Sequence, residues 1–149
     1  MIRLETSKRS GIDNIQLFDL SAFERNWAAE IPRRYKVEQR TGTSAVYNCH
    51  GLTFACRRTR ITNTESIERI LSDDNWVEIE MRDVRAGDIV VYYSEEGEAN
   101  HSGIIVACND LGIPTIYSKW GSAGEYIHLV TEYPHQLYGP NKKFYRCQL

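Results

Sequence analysis

"VYNCHGLTFACRR", residues 46–58, is the stretch on which the interpretation of this chain turns. Asn48 is a favourable helix N-cap, so the sequence predicts a short helix that begins beside Cys49. Three interpretations of this cysteine follow: a nucleophile at a helix N-terminus, a metal ligand together with His50, or a small residue in a core. The rest of the sequence has to separate them.

The overall composition indicates one soluble globular domain. The chain has 149 residues, 42% of them hydrophobic and 26% charged, with a formal net charge of −2. A nucleic-acid-binding surface normally needs a basic surplus, so we expect no nucleic-acid partner and interpret the basic run at 56–60 as a solvated helix face. No stretch has the apolar length of a membrane span, and residues 1–14 lack the apolar segment of a secretory signal. We therefore expect a protein that is cytoplasmic as made and that reaches the outside, if it acts there, by a signal-independent route.

The cysteines do not have the spacing of a metal site. The four are Cys49, Cys56, Cys108 and Cys147, and no two of them form a CxxC pair. Without a secretory signal, free thiols are the expected state. Adjacent Cys49 and His50 would need further ligands from scattered positions, so we expect neither a zinc site nor another cofactor.

One helix is predicted before residue 45. Ser21 is an N-cap, and Glu24 completes a capping box. The predicted apolar face consists of Phe23, Trp27 and Ile31. Pro32 is expected to end the helix.

Two further helices are predicted after residue 45. The helix that starts beside Cys49 should extend to about Arg58, and a second should begin at the N-cap Thr64. The inward residues of the first are Leu52, Ala55 and Cys56, and those of the second are Ile67, Ile70 and Leu71.

After these helices the hydrophobic period changes to that of strands. Strands are predicted in 76–81, 89–93, 101–108, 113–120 and 143–147. Helices followed by an antiparallel meander define an α+β fold. We expect a single domain over residues 1–149, with an N-terminal helical extension at 1–45 and a core at 46–149.

Cys49 has the setting of a nucleophile. The N-terminus of a helix stabilises a thiolate through its partial positive charge and free N–H groups. The same amides could form an oxyanion hole. Gly51 is interpreted as letting a substrate backbone approach closely.

A nucleophilic thiol also needs a base. The four histidines are His50, His101, His128 and His135. His50 follows Cys49 directly, so on a helix its side chain points about 100° away from the thiol. His101 opens a strand after the acidic loop at 94–100, whose charges should hold it protonated and favour an ion pair with the thiolate.

A third group should orient the imidazole. If the strands form a hairpin around residues 108–111, His101 lies opposite Ser118 on the same face. A slip of one residue would place Tyr117 or Lys119 there instead. A backbone carbonyl or a water molecule is the remaining alternative.

Three motifs in this order resemble a known group of enzymes. "YNCHGLTFA" (47–55), "VRAGDIVVYY" (84–93) and "HSGIIVA" (101–107) are similar to the NlpC/P60 and CHAP group of papain-like cysteine hydrolases. The resemblance covers residues 45–120. It implies a papain-like fold in which Cys49, at a helix N-terminus packed on an antiparallel sheet, is the nucleophile and His101 is the base.

The third catalytic residue of that group lies on the strand after the histidine, which corresponds to the region of Ser118. The group usually has His, Asn, Gln or Glu there, whereas this chain has Ser118 and Lys119, and His128 could enter the site from the following loop. The residues predicted to contact substrate are Tyr47, His50, Lys119 and Trp120.

The resemblance implies cleavage of amide bonds in peptidoglycan stem peptides, as an endopeptidase or amidase. Such an enzyme could be a delivered antibacterial toxin or a lysis protein, and an inhibitor or immunity protein would then be a partner. The alternatives are a cytoplasmic cysteine hydrolase or acyltransferase with a non-wall substrate, and a catalytically silent binding module on the same fold.

Overall fold

The computed structural model describes residues 1–148 and has an α+β fold, as predicted. Its helices are α1 (Ala22–Arg34), α2 (Cys49–Ala55), α3 (Thr64–Asp73) and α4 (His135–Tyr138). Its strands are β1 (Glu38–Gln39), β2 (Trp76–Ile79), β3 (Ile89–Tyr93), β4 (Ala99–Cys108), β5 (Pro114–Lys119), β6 (Glu125–Leu129) and β7 (Asn141–Cys147). A single 3-10 turn, Met81–Asp83, links β2 to β3.

All seven strands belong to one antiparallel sheet in the order β1-β6-β5-β4-β3-β7-β2. Strands β3, β4 and β5 form an antiparallel meander, as predicted, and β6 extends it. The C-terminal strand β7 inserts between β3 and β2, and β1 and β6 were not predicted. The C-terminal strand is therefore an interior strand, with the edge strand β2 on its outer side.

The N-terminal end of α1 lies where the sequence predicts it, whereas the C-terminal end does not. Ser21 and Glu24 form the predicted capping box. The helix continues through Pro32, because a proline removes only its own N–H bond and the N–H of Tyr35 still donates to the carbonyl of Ile31 at 3.0 Å.

The predicted apolar face of α1 is only partly buried. Ile31 is fully buried and Trp27 packs against the core, whereas Phe23 is 80% exposed. The N-terminal turns of α1 therefore extend beyond the core.

The next two helices begin at the predicted N-cap or within one residue of it. Asn48 caps α2, as predicted, but α2 ends at Ala55 because Cys56 adopts a left-handed conformation with φ 51°. Cys56 is consequently exposed rather than inward. The N-cap of α3 is Asn63, one residue before the predicted Thr64, and its three predicted apolar residues are buried.

Helices cover the sheet on both faces. On the face that we call the α1 side, α1 and α4 pack over Tyr92, Ile116 and Trp120. On the opposite face, the α2 side, α2 and α3 pack over Val91 and other residues of the second core. This double covering explains why all five residues of β3 are buried in a continuous apolar run.

The first 45 residues are integrated into this architecture. Ile31 packs in the core of the α1 side, Ile12 packs in the core of the α2 side, and β1 pairs with β6. The N-terminal extension therefore contributes to both cores and to the sheet.

Candidate active site

Cys49 is the first residue of α2, in the position predicted for a nucleophile. The side chain of Asn48 fixes this helix start from two directions. Its Oδ1 accepts from the N–H groups of Gly51 at 2.9 Å and Ile61 at 3.2 Å, and its Nδ2 donates to the carbonyl of Ile61 at 2.8 Å. The segment after α2 therefore holds the residue that presents the cysteine.

The thiol of Cys49 is in a buried setting. Its residue is 5% exposed, and burial raises the pKa of the thiol to about 11. Hydrogen bonds from the backbone of Ser102 and His50 oppose that rise, as do the charges of Arg60 and Lys119. At neutral pH the resting group is a thiol rather than a thiolate.

His101 lies on β4, opposite Tyr92, and is fully buried. Its ring stacks on Tyr138 at a centroid distance of 3.9 Å and an interplanar angle of 7°. Neither ring nitrogen has a hydrogen-bond partner within residues 1–148. A buried polar atom without a partner costs free energy, so this histidine is unusual among core histidines.

The predicted protonation of His101 is wrong. Burial lowers the pKa of His101 well below its usual value, and the charges of His128 and His50 lower it further. The acidic loop at 94–100 is exposed at its glutamates and does not overcome this desolvation. The resting pair is therefore a neutral thiol and a neutral imidazole, not an ion pair.

Cys49 and His101 both adjoin β4, but no hydrogen bond joins their side chains within residues 1–148. The ladder between β4 and β5 ends at Ile104 and Tyr117. Beyond that point the backbone of Ser102, the residue after His101, reaches the sulfur of Cys49. The ring of His101 points to the α1 side, towards Tyr92 and Tyr138.

Tyr138 adjoins both groups. It stacks on His101, and after burial the charge of Cys49 is the largest contribution that raises the pKa of Tyr138. The thiol and the imidazole thus share a neighbourhood in which the chain of β4 and the ring of Tyr138 are the common elements.

The predicted register at Ser118 is wrong by two residues. The structure pairs Ile104 with Tyr117, which brings Gly103 rather than His101 opposite Ser118. A Cβ added to Gly103 would lie 3.0 Å from the Cβ of Ser118, in agreement with this register.

Two local features cause the difference. The turn spans 109–113, with Gly112 at φ 76°, and a bulge interrupts the ladder between Ile105 and Ala107. Because the shift is two residues, Ser118 still shares a face with His101.

Ser118 is occupied by other partners. Its Oγ lies 2.7 Å from Nε2 of His128 and accepts from Nε1 of Trp120 at 3.0 Å. Burial lowers the pKa of His128 to about 4, so its ring is neutral, with Nδ1 donating to the carbonyl of Leu129 at 2.8 Å and Nε2 accepting from Ser118. The predicted hydrogen bond from Ser118 to His101 is therefore not formed, and stacking on Tyr138 holds the imidazole instead.

Two of the residues predicted to contact substrate hold the entry to α2. Tyr47 is buried and donates its hydroxyl to Glu125 at 2.5 Å. Lys119 is fully buried, and its Nζ donates to backbone carbonyls, including that of Ser44 at 2.7 Å. Both side chains have interior partners.

The other two residues of that set also lie inside the protein. The ring nitrogens of His50 contact Oγ of Ser102 at 2.8 Å and the carbonyl of Ala99 at 2.9 Å. Trp120 is fully buried in the aromatic cluster of the α1 side. None of the four, among the described residues 1–148, presents a free polar edge at the surface.

Gly51 has a packing role rather than the predicted role in substrate approach. A Cβ at this position would lie 1.9 Å from the carbonyl oxygen of Thr59. The glycine is needed because α2 packs directly on the backbone of the segment that follows it.

Glu125 was missed by the sequence analysis. It is fully buried and accepts from Tyr47, from Tyr117 at 2.6 Å and from Arg57 at 2.6 and 3.1 Å. Burial alone would raise the pKa of Glu125, but these hydrogen bonds, that of Arg57 foremost, lower it to about 2. The alternating residues 125–129 were the available signal for a strand here, and the turn at 120–124 obscured it.

The surface near His101 carries a groove of about 710 Å³ between α1 and α4. Trp27 and Tyr35 form one wall, and Tyr133 and Leu137 form the other. Three residues of α4 line the groove, and the fourth, Tyr138, stacks on His101.

Within residues 1–148, no three His, Cys, Asp or Glu side chains are grouped so that they could hold an ion. The four cysteines are free thiols, with Cys49 buried and Cys56 and Cys108 exposed. No helix in the same range is both long and apolar enough to cross a membrane.

Comparisons of the chain with protein-family models, with curated proteins and with solved structures found no match. The similarity to NlpC/P60 and CHAP hydrolases therefore rests on the three sequence motifs.

Proposed function

We propose that this protein is a cysteine-dependent amide hydrolase of papain-like type, with Cys49 as nucleophile and His101 as base. The observation that carries the proposal is that two unusual groups both adjoin β4 and Tyr138. No hydrogen bond joins them in the closed site within residues 1–148, so proton transfer requires the site to rearrange. A thiol at a capped helix N-terminus adjoins the backbone of Ser102, and the preceding residue is a buried histidine whose ring nitrogens find no partner in residues 1–148.

Because both groups are neutral in the closed site, the mechanism is general-base activation and not a preformed ion pair. His101 takes the proton from Cys49 as the sulfur attacks the substrate carbonyl carbon. The protonated imidazole then gives this proton to the leaving amine, and the C–N bond breaks to leave a thioester on Cys49. Water hydrolyses the thioester with His101 as base again, which releases the carboxylic acid and restores the thiol.

The first turn of α2 stabilises the negative charge that develops on the substrate during attack. A hydrogen bond from the backbone of His50 acts to lower the pKa of Cys49. The same amide can donate to the oxyanion of the tetrahedral intermediate, where preorganised donors contribute most.

The substrate that we propose is a peptide bond of peptidoglycan, cleaved as by an endopeptidase or amidase. This assignment rests on the motif similarity of residues 47–55, 84–93 and 101–107 to cell-wall hydrolases. A delivered toxin or a lysis protein fits such an activity, with an inhibitor or immunity protein as partner.

A second candidate, a catalytically silent binding module, is favoured by the closure of the site. Cys49 is 5% and His101 0% exposed, so a substrate reaches them only if α4 or its neighbours move. A hydrolase or acyltransferase acting on a non-wall substrate would share the same chemistry and would differ in the released product.

Incubation with purified wall sacculi, followed by mass spectrometry of the released fragments, tests the main proposal. We expect the wild-type chain and Cys56→Ala to release peptide fragments, and Cys49→Ala and His101→Leu to release none. Cys56→Ala is the matched control, because Cys56 immediately follows α2 but is exposed. Release that survives Cys49→Ala would contradict the mechanism, and no release by the wild type would exclude the wall substrate.

A further inference from the structure

Lys119 joins the segment that leads into α2 to the turn that follows β5. We call residues 44–47 the entry segment and residues 120–124 the exit turn. Nζ of Lys119 donates to the carbonyl of Ser44 at 2.7 Å and to that of Tyr47 at 3.2 Å in the entry segment, and to the carbonyl of Gly121 at 2.7 Å in the exit turn.

Arg60 repeats this arrangement from another element. Its Nη1 donates to the carbonyl of Ala45 at 3.2 Å in the entry segment, and to Oγ of Ser122 at 3.1 Å in the exit turn. Two cations from separate parts of the chain therefore bind the same pair of segments. A single cation would suffice to join them, so the duplication calls for a second role.

Burial makes the charge of Lys119 a costly feature. The side chain is fully buried, and its Nζ lies 4.6 Å from the centre of the Tyr47 ring. Burial, with a smaller contribution from the charge of nearby Arg60, lowers the pKa of Lys119 to about 7. The carboxylates of Glu125 and Glu24 oppose this, as does the charge of Cys49 when it is a thiolate. An apolar side chain of similar volume would avoid the desolvation of an ammonium group.

We propose that Lys119 and Arg60 are positioning residues, which fix the entry segment and keep positive charge beside Cys49 so that the thiolate formed during attack is stabilised. The inference rests on the proposed role of Cys49 as nucleophile. It agrees with the electrostatics of the resting site, where the charges of Arg60 and Lys119 both act to lower the pKa of Cys49.

The rate of Cys49 alkylation by iodoacetamide, followed by peptide mass spectrometry between pH 7 and 9, tests this proposal. The variants are Arg60→Met, which removes the charge, and Arg60→Lys, which keeps it. Arg60 is only half-buried, so we expect both variants to fold. Lys36→Met removes an exposed cation and is the control.

Because alkylation requires the thiolate, we expect Arg60→Met to slow Cys49 labelling about five-fold at pH 8. Arg60→Lys should remain within about two-fold of the wild type, and Lys36→Met should be unchanged. Lys119→Met should slow labelling in the same direction at pH 7, where Lys119 is partly charged, and less at pH 8 to 9, where its pKa of about 7 leaves it mostly neutral.

A purely structural role gives the opposite sign, because a loosened entry segment exposes the thiol and accelerates labelling. Faster or unchanged labelling in Arg60→Met would therefore overturn the proposal.

The same variants separate this inference from the proposed hydrolase activity. Slower labelling together with an absence of wall hydrolysis by the wild type would support the role of the two cations and contradict the hydrolase. Normal hydrolysis and normal labelling in Arg60→Met would overturn the positioning role and leave the hydrolase intact.

Discussion

At the scale of single residues, two buried histidines on either side of the sheet have opposite hydrogen-bonding states. His50 uses both ring nitrogens, one on Ser102 and one on Ala99. His101 uses neither within the described chain, although it is fully buried. A polar group that lowers stability is retained in proteins where it serves function, and this contrast singles out His101.

Substitution by leucine should change the free energy of unfolding in opposite directions at the two histidines. We expect His101→Leu to raise the free energy of unfolding by about 1 kcal/mol, because it removes two buried nitrogens that lack partners. His50→Leu should lower it by about 2 kcal/mol, because the carbonyl of Ala99 loses its donor and Ser102 loses one of its two partners. Urea denaturation measures both.

His101→Leu should abolish wall hydrolysis while it stabilises the fold. A loss of more than about 1 kcal/mol in His101→Leu would show instead that the stacking on Tyr138 outweighs the missing hydrogen bonds.

At the scale of elements, α4 is the segment that closes the site. It is a single turn, with Pro134 before it and Gly139 after it at φ 97°. Its last residue, Tyr138, covers the ring of His101. A helix this short has little stability of its own, so its position depends on packing. Opening of α4 is therefore the smallest movement that gives a substrate access to His101.

Carbethoxylation by diethyl pyrocarbonate, mapped by mass spectrometry, should detect this closure. We expect Tyr138→Leu to make His101 reactive, while in the wild type only exposed His135 reacts readily. His50, on the α2 side, should remain protected in both proteins.

Tyr145→Leu is the matched control, since Tyr145 is a buried tyrosine in the core of the α2 side. Equal reactivity of His101 in Tyr138→Leu and in Tyr145→Leu would mean that general loosening, and not α4, controls access.

The elements that the sequence predicted are those with local signals. Ser21 and Asn48 cap their helices, and the apolar run at 89–93 is a strand, because caps and periodicity act over a few residues. The insertion of β7 beside β3 and the hairpin bulge depend on contacts between distant segments, which no local pattern encodes.

The same division applies to the candidate site. Cys49 could be placed because the cap of α2 is local. The hydrogen-bond partners of Ser118 could not be predicted. Its register depends on a bulge in the neighbouring strand, and its partner His128 lies on β6, which was not predicted. The protonation of His101 depends on burial by α4, which sequence proximity to acidic residues cannot reveal.

At the scale of the whole molecule, three histidines are buried in neutral form. Burial lowers the pKa of His50 to about 4, that of His128 to about 4, and that of His101 well below its usual value. In the unfolded chain all three titrate near pH 6.5. Below that pH the unfolded state binds more protons than the folded state, so the free energy of unfolding must fall as the pH falls.

We expect this loss to begin near pH 6.5 and to continue to about pH 4. His50 and His128 should each account for about 3 kcal/mol across that window, and His101 should add to it. Urea denaturation at closely spaced pH values from 7.5 to 4.5 measures the slope.

Carboxylates change the free energy of unfolding over a different pH range, so their contribution can be distinguished from that of the histidines. Glu125, with its pKa lowered to about 2, stabilises the fold above the unfolded value of 4.5, and that contribution disappears only as the pH falls from there towards 2. A decrease between pH 6.5 and 5 therefore reports the histidines. Substitution of one of them, His128→Gln, should make this part of the profile shallower, because one proton fewer is taken up on unfolding. A free energy of unfolding that is constant from pH 7 to 5 would contradict the buried neutral histidines, and with them the neutral imidazole that the proposed mechanism requires at His101.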